Sequence, residues 1–154
     1  MLFTGKQIFV LCIFYFFFLT RVASAQDVTA ELAPDIRGLL QKEMVQVDVA
    51  MKVIHGAIVR GDHEVVDKKG REIHDSFILQ QSITPDQRKA LKAAVPDEFL
   101  KLDQRFHVLA SQLSDAGSRK NTEDQLKIFG QLTQACVMCH SGHASERFQG
   151  FDSR

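Results

Sequence analysis

The chain of 154 residues carries 19 basic and 19 acidic side chains, 45% apolar residues, twelve Phe and no Trp. That balance suits one domain with a sizeable core, and its formal net charge of zero gives no single-sign field to steer a charged polymer. No basic stripe with interleaved aromatics runs along it, so nucleic acid is not an expected partner.

The N-terminus reads as a targeting segment. Lys6 makes a short basic start, Ile8 to Leu19 is an unbroken apolar run, and Ala23-Ser24-Ala25 closes it with a small-x-small pattern. This is the layout of a secretory signal spanning residues 1–25, cut before Gln26, and it implies export to the periplasm. The apolar run is short for a membrane span, so no membrane attachment is expected once it is removed; an uncleaved anchor is the rival reading, given the dense Phe14 to Phe18. Cys12 lies inside the run after the bulky Leu11, which argues against lipidation. Cleavage leaves a domain of residues 26–154 with only two cysteines, and an oxidising compartment without structural disulfides fits that composition.

Four long amphipathic segments follow. The first starts at Pro34, a favourable first-turn proline followed by Asp35, and runs to Arg60, where Gly61-Asp62 breaks it. Its apolar positions Leu40, Met44, Val47, Met51, Ile54 and Ile58 alternate four and three apart, the seam of a helix in a bundle. Beside the seam, Val45, Val49 and Val53 form a second row, which suits either a wide core stripe or a contact with a second copy in a homodimer. Asp62 can cap the second helix, expected to reach about Gln81 with Val66, Ile73 and Phe77 among its apolar residues.

Thr84-Pro85-Asp86-Gln87 is a capped start of a short helix that ends by Val95-Pro96. The third long helix covers about Asp97 to Ala116, with Leu102, Phe106, Leu109 and Leu113 on one face. After a turn over Gly117 to Asn121, Thr122-Glu123-Asp124-Gln125 reads as another capping box. The last helix carries Leu126, Phe129, Leu132, Cys136, Cys139, His140 and His143 down one side. Short connections and no strand pattern predict an all-α protein, an antiparallel four-helix bundle.

The chemistry lies in Cys136-Val137-Met138-Cys139-His140, the C-x-x-C-H arrangement of covalent haem attachment. Two thiols three apart on a helix can add to the two vinyl groups of one porphyrin, and His140, one turn beyond Cys136, can reach the iron as proximal ligand. Other readings are a thioredoxin-like redox pair, which needs a βαβ context; a Cys₂His₂ zinc site completed by His140 and His143; and a small disulfide. An exported helical chain with this pentapeptide favours one covalently attached haem c.

A haem motif near the end of the last helix of an exported four-helix bundle resembles the cytochrome c′ family and its low-spin relatives. The resemblance covers Pro34 to Phe148, supported by Lys42-Glu43-Met44 and by Gly56-Ala57-Ile58-Val59-Arg60-Gly61-Asp62. The family usually has an aromatic and then a basic residue three and four after the haem histidine. Here those positions hold His143 and Ala144, with Arg147 and Phe148 as the nearby substitutes. In the family the distal side of the iron is faced by a residue of the first helix, a methionine ligand in low-spin members. The resemblance implies that Met44 is that distal ligand. From periodicity alone Met44 is adaptable packing, and Met51 two turns on is a second candidate.

Of the remaining histidines, His74 and His107 suit boundary positions that can approach the haem, whereas His55 and His63 read as helix-surface residues. Two function classes follow. One is a one-electron carrier with a His/Met site serving redox partner proteins; the other is a high-spin module binding nitric oxide or another diatomic gas at an open distal position. A haem enzyme is the weaker idea, because no helix presents a distal His-Arg pair.

Overall fold

The computed structural model describes residues 27–75 and 83–151; the expected signal segment with Cys12, and Phe77 of the second helix, lie outside them. Among the described residues every regular element is helical: α1 (Val28–Glu31), α2 (Pro34–Arg60), α3 (His63–His74), α4 (Pro85–Ala94), α5 (Asp97–Ser118), α6 (Thr122–His143) and a 3₁₀ turn (Gln149–Phe151). The bounds of α2 follow the local signals. Pro34 opens it, and Gly61, at φ 70°, closes it. There the Gly61 N–H reaches the Ile58 carbonyl at 3.1 Å and the Asp62 N–H reaches Ala57 at 2.8 Å, a paired stop that satisfies two terminal carbonyls.

Asp62 then caps α3 through the Val65 N–H. At α4 both arms of the Thr84–Gln87 box form, at 3.2 and 3.0 Å. The Gln87 amide also donates to Asp35 at 2.7 Å and ties α4 to the start of α2.

Three expectations need correction. The described part of α3 ends at His74, capped by Asp75, before the expected Gln81, and residues 76–82 lie outside the described residues. The α6 cap is Asn121 and not Thr122: the Asn121 side chain accepts the Asp124 N–H at 3.1 Å. Gln125 is buried instead of completing a box, and its amide donates to the Ala116 carbonyl at 3.1 Å and to His63 Nδ1 at 2.9 Å. His63 is therefore half-buried at the α3–α6 junction and not a surface residue.

The core has two parts. The larger gathers Ile54 and Ile58 of α2, Val66 and Ile73 of α3, Leu109 and Leu113 of α5, and Ile128 and Leu132 of α6. The smaller, at the other end, holds Val28, Leu32, Ile36, Leu40, Val95 and Phe99, with Cys139 packed against it. Contact between α3 and α5 is the most extensive of all helix pairs, whereas α2 and α6 meet sparsely. The α3–α5 approach depends on two glycines. A Cβ on Gly70 would lie 2.7 Å from the Ser114 nitrogen, and one on Gly117 would lie 2.5 Å from the Asp67 nitrogen.

The buried stripe of α2 runs Ile36, Leu40, Glu43, Val47, Ala50, Ile54 and Ala57, keeping the alternation of four and three one residue away from the expected Met44 and Met51. Met44 lies about 100° round the helix from Glu43 and is 40% exposed; Met51 is half-buried against the larger core. Val45, Val49 and Val53 point outward and contribute nothing to the core. On α6 the buried positions are Gln125, Ile128, Leu132, Ala135 and His143, so Leu126 faces outward where the pattern put it inside.

Candidate functional site

Helix α6 carries the pentapeptide in its last two turns, and Cys136 and Cys139 are free, half-buried thiols on one side of it. Burial pushes the Cys136 thiol above its ordinary range. The Cys139 thiol is pushed up to about 11, first by burial and then by the Asp103 charge and by Cys136. Cys139 packs against the smaller core, whose Phe99 meets His143 edge-on with ring centroids 5.7 Å apart. Apolar walls of this kind suit the face of a macrocycle.

His140 is half-buried and stacks on Phe148, with ring centroids 4.2 Å apart and planes 15° from parallel. Burial, then the Arg147 charge, lowers its affinity for a proton and favours the neutral imidazole, the form that binds a metal. Phe148 and Arg147 are thus both set against His140. His143 is buried, and its Nδ1 has no hydrogen-bond partner among the described residues. Burial, opposed by the Glu98 charge, lowers its proton affinity as well.

Met44 is an exposed residue on the flank of α2, and α2 approaches α6 only sparsely. Of the other histidines, His55 is exposed and lies 6.0 Å from the Phe129 ring. His74 is exposed beside Asp75. His107 is turned inward: Nδ1 donates to the Ile73 carbonyl at 2.8 Å and Nε2 lies 3.6 Å from Asp103. Burial, the largest single influence, depresses its proton affinity, but Asp103, the Ile73 carbonyl and the Glu43 charge together outweigh it and raise the net value.

The donor set fits a haem better than the rival groups. A thioredoxin-like pair needs strands, and none occurs among the described residues. A closed zinc site needs four converging ligands, and among the described residues no three His, Cys, Asp or Glu side chains gather to hold an ion. A porphyrin asks only for two free thiols on one helical face, an imidazole one turn on, an apolar wall and polar groups at its rim. Cys136, Cys139 and His140 meet the donor part of that description, and Phe99 beside His143 supplies an apolar neighbour.

Sequence reasoning missed Phe99 and Asp103 as neighbours of the site, and the burial of Glu43 whose charge acts on His107. Phe99 and Asp103 fall four apart on α5 in line with His107, a spacing visible in the sequence; the burial of Glu43 leaves no such signal. No protein-family model, curated protein or solved structure gives a significant match to the chain.

Proposed function

We propose that the protein is an exported c-type cytochrome that carries single electrons in the periplasm. In this reading α2, α3, α5 and α6 form an antiparallel four-helix bundle of the cytochrome c′ kind. One haem c is held by Cys136 and Cys139, with His140 as proximal ligand and Met44 as distal ligand. The observation that carries it is the C-x-x-C-H pentapeptide on one face of α6, with both thiols free and half-buried.

The bound haem would supply a one-electron iron couple, and the chain's own residues would set its environment. The two thiols fix it covalently. His140 offers a neutral imidazole because burial and Arg147 disfavour its charged form. Phe99 and the apolar side chains of the smaller core keep water from the ring, which raises the cost of the more highly charged state. A Met44 thioether is a soft donor that favours reduced iron and keeps small ligands out.

The exposure of Met44 favours a second reading, in which its hold on the distal side is weak and nitric oxide or another diatomic gas binds there. The outward row Val45, Val49 and Val53 suits a second copy of the chain. A two-fold axis at Val49 would set Val45 against Val53 of the copy and Asp48 near Lys52 of the copy, an apolar strip flanked by opposite charges. Acid–acetone extraction followed by absorption spectra in both redox states tests the main reading. Haem retained with a low-spin spectrum is expected, whereas haem released freely would refute covalent attachment.

A further inference from the structure

Helix α5 presents Phe99, Asp103 and His107 at successive spacings of four, a stripe on one side of the helix. Its Phe99 end meets His143, and Cys139 packs on the same apolar cluster. The side chain of His107 is only 17% exposed, and its tautomer is fixed by its partners. The Ile73 carbonyl can only accept, so Nδ1 carries a proton at all times. The atom left to gain or lose a proton is Nε2, which faces Asp103.

The charges around His107 come from three helices. Asp103 lies on its own helix, α5, and Glu43, 1% exposed, reaches it from α2. From α3 the Ile73 carbonyl dipole points at it. The Asp103 charge also acts on Cys139 of α6, so one carboxylate senses both His107 and the cysteine that would hold the haem.

We propose that His107 Nε2 is the proton site linked to electron uptake at the centre held by Cys136 and Cys139. This rests on the haem reading above. One electron arrives from an external one-electron donor protein and adds a negative charge at the centre. One proton arrives from solvent at Nε2, by way of the 41%-exposed Asp103, and restores the charge balance; oxidation releases both. Asp103 acts as the positioning residue, holding Nε2 within its field and giving the proton a route.

The test is redox potentiometry of the purified haem-bearing protein against pH, for wild type, His107→Gln and Asp103→Asn. The wild-type potential should fall as pH rises through a bounded window and stay level outside it. That window should lie above the ordinary histidine value of 6.5, because the surrounding groups raise His107. A tenfold difference in proton affinity between the two redox states appears as a drop of about 59 mV across the window. His107→Gln should abolish the drop, and Asp103→Asn should move it to lower pH. Ring-nitrogen resonances of His107 should titrate at higher pH in the reduced protein. A level wild-type potential with haem retained, or an unchanged drop in His107→Gln, would overturn this proposal alone. Haem lost into acid–acetone would overturn it together with the cytochrome reading.

Discussion

Adding one methyl group to the α3–α5 contact probes the packing that keeps His107 against its Ile73 carbonyl. In Gly117→Ala the new Cβ would stand 2.5 Å from the Asp67 nitrogen, 2.9 Å from its Cα and 3.0 Å from the His63 carbonyl oxygen. All three are backbone atoms, which cannot swing aside as a side chain does. Ordinary van der Waals contact begins near 3.4 Å, so the two helices must part by about 1 Å in an interior packed as densely as a crystal. Overpacking of this kind costs about 1–3 kcal/mol and falls at the upper end where backbone must move. Alanine recovers at most about 1 kcal/mol of helix propensity, and less in the last turn, where Gly117 sits.

The net loss expected is about 2 kcal/mol, or about 1 M in the midpoint of a urea titration followed by far-ultraviolet circular dichroism. Gly130→Ala is the control. It lies on the exposed side of α6, where an added Cβ would meet no atom within 4 Å, and it should gain roughly 0.5–1 kcal/mol. If Gly117→Ala unfolds at the wild-type midpoint or later while Gly130→Ala behaves as stated, the close approach of α3 and α5 is wrong.

Three further outcomes are expected. Met44→Ala should convert the reduced protein from low-spin to high-spin and speed carbon monoxide binding by about tenfold or more in stopped-flow absorbance; a wild type already high-spin and fast would give the gas-binding reading the advantage. Val49→Lys should turn a dimer into a monomer by light scattering with its circular dichroism unchanged, and a wild type monomeric at high concentration removes the proposed contact. The third concerns stability against pH. Because Asp103, the Ile73 carbonyl and Glu43 overcome burial and raise His107 above 6.5, its stabilising contribution is complete below that pH and is lost as pH rises through the raised value. The urea midpoint should fall across that interval in wild type and stay level in His107→Gln.

The ends of α2 and the start of α4 were legible because their signals are local. Pro34, the Gly61-Asp62 pair and the Thr84–Gln87 box act on backbone groups within one turn and need no tertiary partner. Asn121 and Thr122 are adjacent residues of similar capping ability, and what separates them is remote: Gln125 is drawn into the core by the Ala116 carbonyl and His63. The shared side of Cys136, Cys139 and His140 was legible because residues three and four apart on one helix face the same way. The charges around His107 were not, since Glu43 lies far from Asp103 and His107 in the chain and only the packing of α2 against the other helices collects them.

The replacement of Met44 and Met51 by Glu43 and Ala50 in an α2 stripe that otherwise keeps Leu40, Val47, Ile54 and Ile58 ties these points together. A search for large apolar residues at alternate spacings of four and three selects Met44 and Met51, because it gives no weight to a carboxylate or to alanine. The folded helix uses Glu43 and Ala50 at those places. Ala50 suits close packing, but a carboxyl group can be buried there only if partners offset its lost hydration. The charge interaction with His107 is one such offset, so the register of α2 is bound up with a residue of α5. Turning α2 to bury Met44 instead would withdraw the Glu43 charge from His107, whose contact with Asp103 lies within α5. The same rotation that sets this charge pair leaves Met44 on the flank of the stripe, where a thioether can move without disturbing the core. Distal ligation by Met44 and its displacement by a gas would then differ by a side-chain movement on α2.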